Sequence, residues 1–146
     1  MRICLGSDHA GLELKRAVAA HLTIAGHEVE DVGTHALSSC DYPEFALRVA
    51  QRVASGEADR GVLVCGTGQG MAMAANKVVG VRAAVVADTF SARMAIEHND
   101  ARVLCLGARV VGSGLALALV DAWMGASFAG GRHAARVALF DKLEPR

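Results

Sequence analysis

Charge of one sign is the first thing the sequence lacks. Fifteen lysines and arginines balance fifteen aspartates and glutamates over 146 residues, so the formal net charge is zero with histidine neutral. That removes the long-range field on which non-specific nucleic-acid binding depends. No local basic run restores it, because lysine occurs only as Lys15, Lys77 and Lys142, and no nucleic-acid partner is expected. A membrane-spanning run is missing as well. The most apolar long stretch, Val110 to Gly130, is broken by Gly112, Ser113, Gly114 and Asp121 and reads as an amphipathic helix. Met1 to Gly6 is too short an apolar run for a signal peptide. The four cysteines show no C-x-x-C spacing, and they read as reduced thiols of a cytoplasmic protein. Cys4 and Cys105 lie within apolar runs and are expected in the core. His21, His27 and His35 have no metal-ligand spacing with another His or Cys; they read as surface or structural, and no metal is expected.

What is present is an apolar surplus: a hydrophobic share of 53% and a mean hydropathy of +0.33. Residues 1–146 are read as one domain, with some surface buried against another subunit. Short β-like runs alternate with helix-period segments, and no linker divides them. Strands are expected at Arg2–Gly6, His27–Val32, Gly61–Cys65, Val81–Ala87 and Val103–Gly107. Helices are expected from Ala10 to Ala25, with Leu14, Val18, Leu22 and Ala25 on one face and Gly26 as C-cap. A second should open at Asp41-Tyr42-Pro43-Glu44 as a capping box, bury Phe45, Val49 and Val53 and stop at Gly56. Others are expected after Gly70, at Ser91–Glu97, at Leu115–Met124 and at His133–Leu143. Strands apolar on both faces that alternate with helices imply an α/β fold. The expected form is a three-layer α/β/α sandwich with a doubly wound, mainly parallel sheet of about five strands, Rossmann-like. Ligands of such sheets sit at the carboxyl ends of the strands. Ser7-Asp8-His9, Cys65 to Gly70, Asp88 and Gly107-Ala108-Arg109 occupy those positions.

The segment Cys65-Gly66-Thr67-Gly68-Gln69-Gly70 suits an anion cradle, since glycines let main-chain N–H groups approach closely. A dinucleotide fingerprint fits only in part. Gly66 and Gly68 begin it and Asp88 follows 20 residues after Gly68, but Met71 stands where a small residue is needed. A P-loop is excluded because no lysine follows a glycine, and a C-x5-R phosphatase because position 71 is methionine. What remains is a thiol at the mouth of an N–H-lined loop. A helix start stabilises a thiolate that can act as nucleophile or base, though a cysteine so placed is, taken alone, more often a buried strand-end residue. Thr67 could orient the thiol or bond an oxyanion.

Three further clusters carry polar chemistry. Asp8-His9 opens a helix, where Asp8 is either an N-cap or a ligand contact. His98-Asn99-Asp100 ends a helix, where a lone histidine also suits the dipole. In Gly130-Gly131-Arg132-His133-Ala134-Ala135-Arg136 the two arginines are four apart and share a helix face, either solvated or facing phosphate.

Taken in order, Gly6-Ser7-Asp8-His9-Ala10-Gly11, Asp41-Tyr42-Pro43, Cys65 to Gly70, Ala74-Ala75-Asn76-Lys77, His98-Asn99-Asp100, Gly107 to Gly112 and Gly130-Gly131-Arg132-His133 resemble the ribose-5-phosphate isomerase type B family. That wider family includes galactose-6-phosphate and allose-6-phosphate isomerases. The resemblance implies an aldose–ketose isomerase of sugar phosphates, needing no metal or cofactor. It further implies a homodimer or dimer of dimers with the site at the subunit interface. By position, Cys65 would be the base that moves a proton through a cis-enediol, and Gly66, Thr67, Gly68, Gln69 and Gly70 would line the enediolate. His98 would open the sugar ring, and Asp8 and Asn99 would hold hydroxyls. His9, Arg109, Arg132 and Arg136 would bind phosphate or position the substrate. Some relatives carry a carboxylate base at the position of Met71 and lack the cysteine, so this chain falls in the thiol-dependent subgroup. Gln69, where many relatives have a small or apolar residue, leaves the sugar open. Ribose 5-phosphate is the default, with allose 6-phosphate and erythrulose 4-phosphate as alternatives, and a non-catalytic sugar-phosphate sensor as a different class.

Overall fold

Strand runs without polar alternation need cover on both faces, and the computed structural model, which describes residues 1–143, supplies it. In chain order the elements are β1 (Arg2–Ser7), α1 (Leu12–Ile24), β2 (Glu28–Asp31), α2 (Tyr42–Ala54) and β3 (Arg60–Cys65). Then come α3 (Gln69–Ala75), β4 (Ala83–Val85), α4 (Thr89–Glu97), β5 (Val103–Gly107), α5 (Ser113–Met124) and α6 (Arg132–Val137). Short 3₁₀ turns occupy His9–Gly11 and Phe140–Lys142. The five strands run parallel in the order β2-β1-β3-β5-β4. The expected three-layer α/β/α architecture is therefore present, wound in two directions from the β1/β3 pair.

One face of the sheet packs Leu14, Val18 and Leu22 of α1 with Ile96 of α4 and Leu119, Val120 and Trp123 of α5. The other packs Ala46, Val49 and Ala50 of α2 with Met71, Ala72 and Ala75 of α3. Burying side chains of this size stabilises by about 1.5–3 kcal/mol each for the larger ones. Cys4 and Cys105 are fully buried in the second cluster, as their apolar runs suggest. No helix of the described residues is long and apolar enough to cross a membrane.

Several boundaries differ from the sequence expectation. Residues 9–11 form a 3₁₀ turn before α1, because Gly11 packs against the Val64 carbonyl and leaves no room for a Cβ. Ala25 is exposed as the C-cap, not part of the buried face. In α2 the buried stripe is Ala46, Val49 and Ala50, with Phe45 and Val53 half-buried. Asp41 holds the N-cap position but makes no capping bond, and Glu44 pairs with Arg48 instead at 2.8 Å, so no capping box forms. β4 is only Ala83–Val85, its edge closed by Asn76, whose side chain bonds both N–H and C=O of Ala83 at 2.8 and 2.9 Å. The helix expected over 133–143 is instead α6 followed by the second 3₁₀ turn.

Two buried cations went unread in the sequence. Lys15, 0% exposed, bonds Asp31 at 2.7 Å and the Thr34 carbonyl at 2.6 Å. It thereby fastens the chain after β2 beside Ser7, where the Thr34 N–H meets the Ser7 carbonyl at 3.0 Å. Arg60 bonds the Trp123 and Ala126 carbonyls at 2.6 and 2.9 Å, tying the start of β3 to the end of α5.

Candidate active site

A crevice opens at the carboxyl end of an α/β sheet where the winding direction changes. Here that point is between β1 and β3, whose ends carry Asp8 and Cys65. Cys65, 5% exposed, points its sulfur into the turn that follows, and the Gly68 N–H donates to it at 3.1 Å. That turn is possible because Gly68 takes φ +79 and packs against the Leu106 backbone, where a side chain would be strained and crowded. The Thr67 hydroxyl accepts from the Gln69 N–H at 3.4 Å, and both side chains face outward. The loop after β5 closes the cradle: Ala108 and Arg109 donate N–H bonds to the Cys65 and Gly66 carbonyls at 2.8 and 3.0 Å. The Arg109 guanidinium lies over Gly66, with Nη1 3.4 Å from where a Cβ would stand.

Asp8 caps the 3₁₀ turn, accepting from the Gly11 N–H at 3.0 Å, so its N-cap reading holds. That bond uses one carboxylate oxygen. His9 is half-buried, and its Nδ1 accepts from the Cys40 N–H at 3.3 Å, with the Cys40 sulfur 3.9 Å away. Tyr42 lies against Gly70, where a Cβ would come within 2.5 Å of the ring. The sequence places Tyr42 at a helix start and in a family-like motif without a role at the site, and gives Cys40 no part; an otherwise unexplained glycine in the first turn of α3 is the available signal for Tyr42. Asp8, His9, Cys65, Gly66, Thr67, Gly68, Gln69, Gly70 and Arg109 thus gather at one end of the sheet.

The remaining predicted residues do not join them within the chain. α4 starts beside the carboxyl end of β4 and runs back, so His98 and Asn99 lie before β5, at the opposite edge. Four residue steps of β5, about 13 Å, separate the two levels. The Gly130-Gly131 turn carries α6 to His98: the Ala129 N–H bonds the Glu97 carbonyl at 2.9 Å. His133 then stacks on His98, with ring centroids 4.2 Å apart and planes 5° from parallel. Burial, the neighbouring His98 and the positive Arg132 and Arg136 hold the His133 imidazole below its usual range of protonation. Arg132 and Arg136 are exposed, and among the described residues neither has an ion-pair partner.

His21, His27 and His35 keep structural positions: His21 bonds Asp121 at 2.6 Å and joins α1 to α5, His27 lies 3.5 Å from the N-terminal amine, and His35 lies 3.9 Å from Asp31.

Known proteins match along nearly the whole chain. Ribose-5-phosphate isomerase B of Escherichia coli K12 is 48% identical over 145 residues, covering 99% of this chain and 97% of its own. D-erythrulose-4-phosphate isomerase 2 of Mycolicibacterium smegmatis is 45% identical over 131 residues, covering 88% and 86%. The solved structure of Clostridium thermocellum ribose-5-phosphate isomerase B superposes with a TM-score of 0.97 at 55% identity, over 98% of this chain and 97% of that one. The sequence profile described as Ribose/Galactose Isomerase matches residues 3–140, and the chain belongs to that family.

Proposed function

We propose that the chain interconverts an aldose phosphate and its ketose phosphate, with ribose 5-phosphate and ribulose 5-phosphate as its pair. The observation that carries the chemistry is the Cys65 sulfur, buried at the carboxyl end of β3 with a main-chain N–H on it and the Arg109 guanidinium over the next residue, Gly66. The activities of the relatives support the same reaction class.

In the proposed reaction His98 gives a proton to the ring oxygen as the bond from that oxygen to C1 breaks, and the C1 hydroxyl releases its proton to solvent to become the aldehyde. The Cys65 thiolate then removes the proton from C2. The resulting cis-enediolate is held by main-chain N–H groups of residues 66–70 with Thr67, which cost no reorganisation because the turn is already set. The proton returns to C1 while the hydroxyl proton moves from O2 to O1, leaving the ketone at C2. Asp8, Asn99 and Gln69 hold hydroxyls; His9, Arg109, Arg132 and Arg136 take the phosphate, for which paired guanidinium groups are suited.

The same reading makes the working unit a homodimer or a dimer of dimers of one-domain chains. His98 and Asn99 stand at the opposite edge from Cys65, so a sugar touched by both sets lies between two copies. An apolar groove of about 580 Å³ supports this, lined by Val79, Val81, Ala84, Phe140 and Leu143 and reaching Asn99. Val79, Phe140 and Leu143 are largely exposed in the single chain, and covering them with a second copy removes that surface from water.

The test is solvent-deuterium exchange followed by NMR, with ribose 5-phosphate, allose 6-phosphate and erythrulose 4-phosphate offered separately. Conversion of ribose 5-phosphate with deuterium at the carbon beside the carbonyl is the expected result. Faster conversion of another sugar would reassign the substrate within the class, and no conversion of any would leave a sugar-phosphate sensor.

A further inference from the structure

We propose that His133 is a positioning residue for ring opening: its imidazole stacks face to face on His98 and fixes the plane in which His98 meets the sugar's ring oxygen. The inference rests on the isomerase reading above and concerns only the step before enolisation.

Three observations carry it. The first is the stack itself, 4.2 Å between centroids and 5° from parallel, between rings on different elements. The second is that among the described residues no hydrogen bond reaches the His98 ring, so the flat contact with His133 is what orients it. The third is how the chain delivers His133. Gly130 and Gly131 take φ of +63 and +53, a conformation that side chains resist, and the Ala129 N–H is pinned to the last turn of α4. Two consecutive glycines thus turn the chain so that the first turn of α6 faces the end of α4. An incidental surface histidine needs no such delivery.

The charges around the two rings are unequal. His133 faces His98 across the gap and Arg132 and Arg136 on its own helix, while Glu97, the acid nearest in sequence to His98, is paired with Arg93 at 3.5 Å. Burial and these positive neighbours lower the affinity of the His133 ring for a proton. His133 touches no reacting atom in this scheme.

Two substrates separate this role from a general structural one. Ribose 5-phosphate is mostly a closed ring and must be opened. Ribulose 5-phosphate carries its phosphate on the only oxygen that could close a five-membered ring, so it is open-chain and needs only the enediol steps. The experiment compares wild type, His133→Ala and His133→Phe by turnover of ribose 5-phosphate and by deuterium uptake at C1 of ribulose 5-phosphate. The expected result for His133→Ala is a loss of about tenfold or more in ribose 5-phosphate turnover, the lower range of general acid catalysis, with ribulose exchange near wild type. His133→Phe, which keeps a flat neutral ring, should recover most of the lost turnover. Equal losses in both assays, or no loss in either, would overturn the proposal. Absence of exchange by the wild type would remove the isomerase reading itself, and this inference with it.

Discussion

The groups around Cys65 and those around His98 stand on the same sheet but are held in opposite ways. Around Cys65 the main chain does the fixing: the Gly68 N–H bonds the sulfur, the Gly11 N–H bonds Asp8, and the Ala108 and Arg109 N–H groups tie the glycine loop to β5. The His98 ring is held instead by its stack on His133, and Arg132 and Arg136 project outward without anionic partners among the described residues. The first set is gathered within one chain; the second presents cations with no anionic partner among the described residues. In the proposed reaction the thiol base sits on a strand end, while the ring-opening acid and two of the phosphate-binding arginines sit on helix ends, and the two sets face one sugar only if two copies meet.

Substitutions on either side should break the two sets differently. Cys65→Ser should cost the most, about 10²–10⁴-fold in kcat with the fold intact, the usual worth of a positioned base; enzyme kinetics with circular dichroism checks it, and near-normal turnover would remove the thiolate from its role. Arg136→Ala should act on the other set, raising KM for ribose 5-phosphate about tenfold with a smaller change in kcat, as expected for one lost charge-assisted bond. The smallest effect concerns the thiols not used. Burial pushes the Cys4 thiol up to about 12 and raises that of Cys105 as well, so both stay protonated at ordinary pH. Alkylation read by mass spectrometry should therefore label Cys65 and the half-buried Cys40 before Cys4 and Cys105, whose labelling should await unfolding.

The same contrast explains what the sequence made legible. The strand-end set followed from a rule: apolar runs ending in Ser7-Asp8 and in Cys65-Gly66 mark the carboxyl edge of a parallel sheet, where ligands sit. The helix-end set has no such rule behind it: the spacing of Arg132 and Arg136 fits a solvated face as well as phosphate, and the roles of His98 and Asn99 come only as what the family resemblance implies. The His98–His133 stack was hidden because 35 positions separate the two rings, and no periodic pattern spans a turn built from left-handed glycines. Lys15 and Arg60 were missed for a related reason. Charged residues are read as exposed unless a partner is visible, and their partners are an aspartate in a different element and three backbone carbonyls. The C-terminal helix was overextended because residues 133–143 are rich in helix formers throughout.

The account turns on one site being shared by two copies, and mixing inactive variants tests that most directly. Cys65→Ser and His98→Ala chains, each weakly active alone toward ribose 5-phosphate, would be co-expressed in equal amounts and purified together. If each site takes Cys65 from one copy and His98 from the other, half of randomly paired dimers contain one intact site, and activity should recover to about one quarter of wild type. Activity no higher than the average of the two variants alone would contradict the shared site and require Cys65 and His98 to act within a single chain.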